Sequence, residues 1–341
     1  MLAPGDWVTV GIDNGGTSNN GTVLDRDGQF LVETMAEVPS LVREGPGAAI
    51  PALADSFDKV LAMTGVPRER VRAVGLDTPG PASATGVLVT GGATNFGHSA
   101  WSKFDIRSAL EDRLGIPVVY NNDGNAAALY AHYARHGVEG QVRSSVSVIV
   151  GTGCGGGVIQ DGLIIKGATG MAGELGHMMI PMHGLLEPDQ TLPFCNCGQD
   201  GDAESIASLT GITRNLLPYW LTRFPDHELA GVDIAKAAKL VRGYGERGDA
   251  MALEIFRQQA MAIGRIFSIA AKFTDPDTYF VGGGVIDAAP HFRDWFLATV
   301  KENTVLFTEQ AESAEITLVP DLDMAGARGS AIAAAAWVKK Q

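Results

Sequence analysis

At 341 residues, with 45% hydrophobic and 19% charged side chains, the chain has the composition of a soluble globular protein and the length of two domains. Its 26 basic against 39 acidic residues give a net charge of −13, which argues against nucleic acid and anionic membrane surfaces as partners, because both bind through Lys and Arg. No apolar run is long enough to span a bilayer.

Met1 to Asp6 carries no basic residue and Asp13 interrupts the apolar run behind it, so no signal peptide is expected. Trp7 to Ile12 reads as a strand, Asn14 to Gly21 as a turn rich in Gly, Ser and Asn, and Thr22 to Asp25 as the returning strand. Arg26 to Gln29 makes a hairpin turn and Phe30 to Val38 a third strand. Ile50 to Thr64 has helical periodicity, and Val71 to Asp77 is a strand ended by Pro79-Gly80-Pro81. Ile106, Leu110 and Leu114, four residues apart, make Phe104 to Leu114 a helix. Ile116 to Tyr120 then reads as a buried strand, and Asn125 to Tyr130, rich in Ala, as a tightly packed helix. Asn122-Asp123-Gly124 stands between them. Open α/β sheets bind ligands at such strand-to-helix junctions. The helix N-terminal field keeps a carboxylate there ionised, so Asp123 suits taking a proton from a substrate hydroxyl. An Asp in that position is equally an ordinary helix N-cap.

A second pass begins at Ser145 to Val150, a β-branched strand, turned by Gly151 to Gly157 and returning as Val158 to Gln160. This repeats the logic of residues 7 to 25 and suggests two halves on one plan, with a cleft between them. Residues 181 to 202 read as an irregular insert, and Ile206 to Ala262 as helices with polar connections. Ile263 to Phe273 is helical, and Thr278 to Val281 is a strand ending at Gly282-Gly283-Gly284. Ile316 to Val319 is the last strand, and Ala325 to Val338 an Ala-rich helix buried against the first half.

Three glycine clusters thus follow strands directly. In Gly11-Ile12-Asp13-Asn14-Gly15-Gly16-Thr17, backbone N–H groups can crowd a phosphate, Thr17 adds a hydroxyl and Asp13 can hold Mg²⁺. The same run also suits a hairpin with Gly in left-handed positions. Gly151 to Gly157 and Gly282 to Gly284 repeat the design, and none is a Walker A loop, since no Gly-Lys-Ser/Thr follows. A shared nucleotide site explains the three together. Glu174 and His177, at i and i+3, can face one ligand. His177, Cys195, Cys197 and the carboxylates of Asp202 and Glu204 are N, S and O donors that suit tetrahedral zinc. The alternative is a polar loop with two free thiols. Three cysteines form no disulfide framework and suit a reducing cytoplasm.

Asp13-Asn14-Gly15-Gly16-Thr17, Pro79-Gly80-Pro81, Asn122-Asp123-Gly124-Asn125-Ala126-Ala127, Gly151-Thr152-Gly153, Gly173-Glu174-Leu175-Gly176-His177 and Cys195-Asn196-Cys197-Gly198 occur in the order found in the ROK family. That family groups repressors, open reading frames and sugar kinases. Gly326 to Ala331 resembles its C-terminal helix, and the resemblance spans about residues 7 to 338.

The resemblance implies a two-lobed α/β fold of the actin-like ATPase, ribonuclease H-like kind. Residues 1–120 with 326–341 would form the smaller domain, and 121–325 the larger one with the zinc-type loop. It implies an ATP-dependent sugar kinase, cytoplasmic and homodimeric, with glucose as the default acceptor and no nucleic-acid or membrane partner. Asp123 would be the general base. Gly80, Asn95, Asn122, Asp123, Glu174, His177 and Glu204 would bind the sugar. Asp13, Gly15, Gly16 and Thr17 would meet the phosphates and Mg²⁺, and Thr152, Gly153, Gly282 and Gly283 the nucleotide. His177, Cys195, Cys197 and Asp202 would hold a structural Zn²⁺.

Three departures bear on this. Ser18 stands where family members often have Lys, Asp202 where the zinc motif usually has a third Cys, and the loop from His177 to Cys195 is longer than usual, with His183, Glu187 and Asp189 inside it. The insert and Asp202 leave an amino sugar, N-acetylmannosamine or a cyclitol as alternative acceptors, and the resemblance to related kinases leaves polyphosphate as an alternative donor. A sugar-sensing regulator of the same family is a further reading. Its usual N-terminal helix-turn-helix finds no room before a phosphate loop that starts at about residue 11. His98, His132, His136, His227 and His291 read as surface or loop residues, Trp220, Trp295 and Trp337 as core, Cys154 as a packing residue and Arg242 to Arg247 as a solvated helix end.

Overall fold

Strand β1 (Val8–Asn14) sets the plan of the first sheet in a computed structural model that describes residues 5–79, 83–88, 96–320 and 324–341. Val8, Val10 and Ile12 point to one face and are fully buried, while Thr9, Gly11 and Asp13 point to the other. β1 runs antiparallel to β2 (Ser18–Asp25), which pairs with β3 (Ala36–Pro39). On its other side it runs parallel to β4 (Val71–Thr78), and β4 runs parallel to β5 (Val118–Asn122). The order is β3-β2-β1-β4-β5.

The face of Val10, Ile12, Val74 and Leu76 forms a core with Leu53 and Phe57 of helix α1 (Pro46–Thr64), Leu110 of α2 (Ile106–Leu114) and Trp101. The opposite face carries the C-terminal helix Ala325–Val338, which approaches the strand backbone closely at two glycines. A Cβ at Gly11 would come within 1.9 Å of the Ala327 carbonyl oxygen, and one at Gly75 within 1.9 Å of that of Ser330. The same helix meets α3 (Asp123–His136) at Gly329, where a Cβ would sit 1.8 Å from the Ala126 carbonyl oxygen. Gly329→Ala is therefore expected to destabilise the protein by about 1–3 kcal/mol through overpacking. A thermal melt unchanged from the native protein would refute that contact.

The second sheet repeats the plan. β6 (Ser145–Val150) is antiparallel to β7 (Cys154–Gln160) and parallel to β9 (Thr278–Gly283), and β9 is parallel to β10 (Glu315–Leu318). With β8 (Leu163–Ile164) the order is β10-β9-β6-β7-β8. The 24-residue helix Ala250–Phe273 is capped by Asp249, whose side chain accepts from the Ala252 N–H, and it buries Ile255, Ile263 and Phe267. Among the described residues no helix is long and apolar enough to cross a membrane.

Residue contacts divide the chain into two compact units, Met1–Val138 with Ile164–Gly173 and Asp321–Gln341, and Glu139–Leu163 with Glu174–Pro320. Helix α3, which the sequence assigns to the second domain, belongs to the first because it packs against the C-terminal helix.

Other local differences have identifiable causes. The first turn is shorter than expected: the Asn14 side-chain amide donates to Asn19 Oδ1 at 2.6 Å, and β2 already begins at Ser18. Gly155 to Gly157 lie in β7 rather than in a turn, and a Cβ at Gly156 would meet the Ser147 carbonyl oxygen at 2.2 Å. His132 is fully buried within α3, and the His227 ring is nearly buried beside Asp249 at 3.2 Å. Trp337, expected in the core, is 36% exposed.

Candidate functional site

In the first unit, carboxylates gather at the carboxyl ends of β1, β4 and β5. Asp13 and Asp77 face each other in register across β1 and β4. Asp77 is fully buried, and its Oδ1 accepts from the Ser330 hydroxyl of the C-terminal helix at 2.9 Å. Asp13 Oδ2 accepts from the Asn20 amide at 3.3 Å. Burial pushes the Asp77 carboxyl well above the usual carboxylate range, and the charges of Asp13 and Asp123 push it further. Burial raises Asp13 as well. The sequence reading did not single out Asp77. Its one signal was an Asp inside an apolar strand, where Asp is depleted.

Asp123 opens α3. The helix cap is its neighbour: Asn122 Oδ1 accepts from the Asn125 N–H at 2.7 Å. Capping therefore does not occupy Asp123, which is exposed and takes the Gly124 N–H on Oδ1 at 2.8 Å. Behind it, Lys166 donates to the Tyr120 carbonyl oxygen at 2.6 Å, and burial lowers its ammonium to about 8. The glycine turn between β1 and β2 is closed by the Gly15 N–H on the Ser18 carbonyl oxygen at 2.9 Å, and Thr17 is exposed. Gly15 has an ordinary φ, and a Cβ on it would lie 2.8 Å from that oxygen, so the turn needs close approach rather than left-handed backbone. Gly80 and Asn95, expected at the sugar, lie outside the described residues.

In the second unit, His177, Cys195, Cys197 and Asp202 converge, with ligand atoms all within 4.8 Å of one another. His177 Nδ1 is 3.0 Å from Asp202 Oδ2 and 3.8 Å from Cys195 Sγ. Cys197 Sγ is 3.3 Å from the same Asp202 oxygen. The other Asp202 oxygen accepts from the Ser205 N–H at 2.9 Å, which fixes the carboxylate. Asp202 is fully buried; burial opposes its charge, but hydrogen bonds from His177, Cys195, Ser205 and Cys197 hold its carboxyl below the usual range. The Asp202 contact raises His177, and burial pushes the Cys195 thiol up.

Glu204 stands beside this cluster and against the glycine turn. Its Oε2 accepts from the Cys154 N–H at 2.8 Å, and a Cβ at Gly153 would lie 2.6 Å from that oxygen. Thr152 is held through its carbonyl oxygen by the Thr210 N–H and hydroxyl. Gly282 and Gly283 answer to strand packing: Cβ atoms there would meet Ile149 Cδ1 at 2.5 Å and the Val150 carbonyl oxygen at 1.8 Å, and Gly283 has a φ of 103°. The next glycine, Gly284, instead lines a pocket of about 310 Å³ together with Gly151, Leu209, Ile212, Lys239 and Phe256. Arg242, expected to be a solvated helix end, also lines it and donates to the Gly284 carbonyl oxygen at 2.6 Å.

The long loop after His177 is tied down within this unit. Asp189 pairs with Arg223 at 2.5 Å, Glu187 with Arg257 at 3.4 Å, and Arg265 donates to the Pro181 and His183 carbonyl oxygens.

Two α/β units, each with a mixed five-stranded sheet on the same plan, define the two-domain actin-like ATPase fold. A model of the ROK family matches residues 9–340, and the chain belongs to that family. The glucokinase of Halalkalibacterium halodurans is 30% identical over 339 residues, covering 97% of this chain and 94% of the relative. The solved structure of a ROK hexokinase from Thermus thermophilus matches with a TM-score of 0.77 and 29% identity, over 98% of this chain and 100% of that one. A ROK family glucokinase from Streptomyces griseus, in complex with glucose and AMPPNP, matches with a TM-score of 0.68 and 26% identity, over 96% and 99% of the two chains.

Proposed function

We propose that this protein transfers a phosphoryl group from ATP to a hydroxyl of a hexose, glucose by default, with Asp123 as the general base. The observation that carries the reading is the exposed Asp123 carboxylate at the start of α3, at the same sheet end as the Asp13 turn. Its likeness to a glucokinase solved with glucose and AMPPNP supports the same donor and acceptor classes.

Phosphoryl transfer depends on positioning and charge neutralisation more than on covalent help. Asp123 takes the proton of the attacking hydroxyl as the O–P bond forms. The α3 N-terminus keeps its carboxylate ionised until then. Gly80, Asn95, Asn122, Glu174, His177 and Glu204 bind the other hydroxyls. A sugar lacking one of them leaves a polar group of the site unpaired, which is the basis of selectivity. Asp13, Gly15, Gly16 and Thr17 meet the phosphates, while Thr152, Gly153, Gly282 and Gly283 support the nucleotide and the apolar pocket beside Gly151 and Gly284 takes its base. Oxygen donors at Asp13 and at Asp77, whose Oδ2 takes no amide or hydroxyl hydrogen bond, fit Mg²⁺, which would neutralise phosphate charge when bound.

The donor set of His177, Cys195, Cys197 and Asp202 fits a structural zinc ion. With Nδ1 turned to that cluster, Nε2 is the ring nitrogen of His177 that would bind a sugar hydroxyl.

The test is a panel of acceptors with ATP and Mg²⁺. Glucose is expected to give the highest kcat/KM. A preference for N-acetylmannosamine, another amino sugar or a cyclitol would reassign the acceptor, and absence of transfer to every sugar would refute the kinase reading.

A further inference from the structure

A polar row across three strands is not explained by the phosphate turn. Asp13 of β1 is in register with Asp77 of β4, and Asp77 with Asn121 of β5. In-register residues of parallel strands project to the same face. The three side chains therefore stand side by side at the carboxyl end of the sheet, on the face covered by the C-terminal helix.

The row is short of partners. Asp77 Oδ2 is fully buried and takes no amide or hydroxyl hydrogen bond among the described residues; the group it faces is the Asp13 carboxyl, with which it hydrogen-bonds only when one of the two is protonated. Asn121 is 2% exposed, and neither its amide oxygen nor its amide nitrogen has a partner there either. Buried polar groups in native proteins are nearly always satisfied by protein, water or ligand, so a row of adjacent ones at a strand end can take a ligand atom. The C-terminal helix leaves room only through a glycine: a Cβ at Gly326 would lie 2.9 Å from both Asp13 Cγ and Asp77 Oδ2. Two carboxylates and an amide oxygen are hard donors, suited to Mg²⁺ rather than to softer metals.

We propose that Asp77 and Asn121 extend the divalent-cation site of Asp13, so that this chain holds Mg²⁺ through two carboxylates and the Asn121 amide oxygen before any nucleotide arrives. The choice of Mg²⁺ rests on the kinase reading; the site itself rests on the row. The cation satisfies Asp77 Oδ2 and the Asn121 oxygen and removes the repulsion between the paired carboxylates. Asp77 and Asn121 are thus binding residues for the metal, at a place where Asp13 alone would offer one carboxylate.

Mn²⁺ alone, without ATP or sugar, is the probe, and the electron paramagnetic resonance of unbound Mn²⁺ reads its affinity on the full chain. The native protein is expected to bind it, and Asp77→Asn and Asn121→Ala each to weaken it about 10–100-fold. Thermal melting is the second readout. Asp77→Asn removes the fully buried one of two facing carboxylates, so its metal-free melting temperature stays at or above the native value, while the rise that Mn²⁺ gives the native protein disappears. Native Mn²⁺ affinity in Asp77→Asn, or no binding to the native chain, overturns the proposal. Should Asp77→Asn melt below the native protein, the Asn121→Ala titration decides, and native affinity there overturns it. Failure of the kinase reading registers separately, as no transfer to any sugar, and leaves the Mn²⁺ titrations as they are.

Discussion

Asp123→Asn is expected to lower sugar-dependent ATP turnover by about 10²–10⁴-fold, the usual contribution of a positioned general base. The substitution keeps the shape and the acceptor oxygen that takes the Gly124 N–H, but the amide cannot accept the sugar proton. Folding should survive. The helix cap is Asn122, which the variant leaves in place, and loss of one anion at a helix N-terminus costs about 0.3–1 kcal/mol. Removing the Asp123 charge also relieves the buried Asp77, which that charge disfavours. The expected pattern is therefore a melt within a few degrees of native, a sugar affinity close to native and a kcat that collapses. Turnover near the native rate in a folded Asp123→Asn protein would remove the base from the mechanism. A loss confined to KM would make Asp123 a sugar-binding residue instead.

The sequence carried the candidate site unevenly, and the reason is where each signal lives. Asn122-Asp123-Gly124 was legible because it sits at a change from apolar run to Ala-rich helix, a local event. The repeated strand, glycine turn, strand pattern foretold the two sheets of matching order. Asp77 and Asn121 were not legible. Each lies one residue before the end of an apolar strand, and only strand register brings them beside Asp13. The glycines carry two signals at once. Gly282 and Gly283 read as ligand approach, and strand β6 also crowds them both, while Gly284 borders the pocket. Composition marks where backbone comes close to something, and only the fold tells whether that is another strand or open space. The loop from His177 to Cys195 was visible as an insertion, but its ties to Arg223, Arg257 and Arg265 come from helices far along the chain.

Removing zinc is expected to have the largest effect on stability. The segment around Cys195 and Cys197 has little regular structure to hold it. Cys195 N–H donates to the Gln199 carbonyl oxygen, the Gly198 N–H returns to Cys195, and Gly198 sits at a φ of 92°. This small knuckle brings two thiols to His177 and to a carboxylate that is fully buried. Without a metal the arrangement is costly, because the Cys195 thiol is pushed up by burial and Asp202 carries a charge out of water. A dication reverses that: both thiols ionise on binding and release protons, so affinity rises with pH. At free zinc about 1,000-fold above Kd, linkage adds roughly 4 kcal/mol to the folded state. At about 2–4 °C per kcal/mol, chelation should then lower Tm by roughly 8–16 °C, and added zinc should restore it. Cys195→Ser should bind less zinc and lose the response to chelator. Asp202→Cys replaces a hard oxygen with a soft thiolate and should bind zinc more tightly, which separates a metal site from a hydrogen-bonded polar loop. Elemental analysis that finds no zinc in the purified protein, together with a melt indifferent to chelator, would leave His177 and Asp202 as an ordinary ion pair and the two thiols as bystanders.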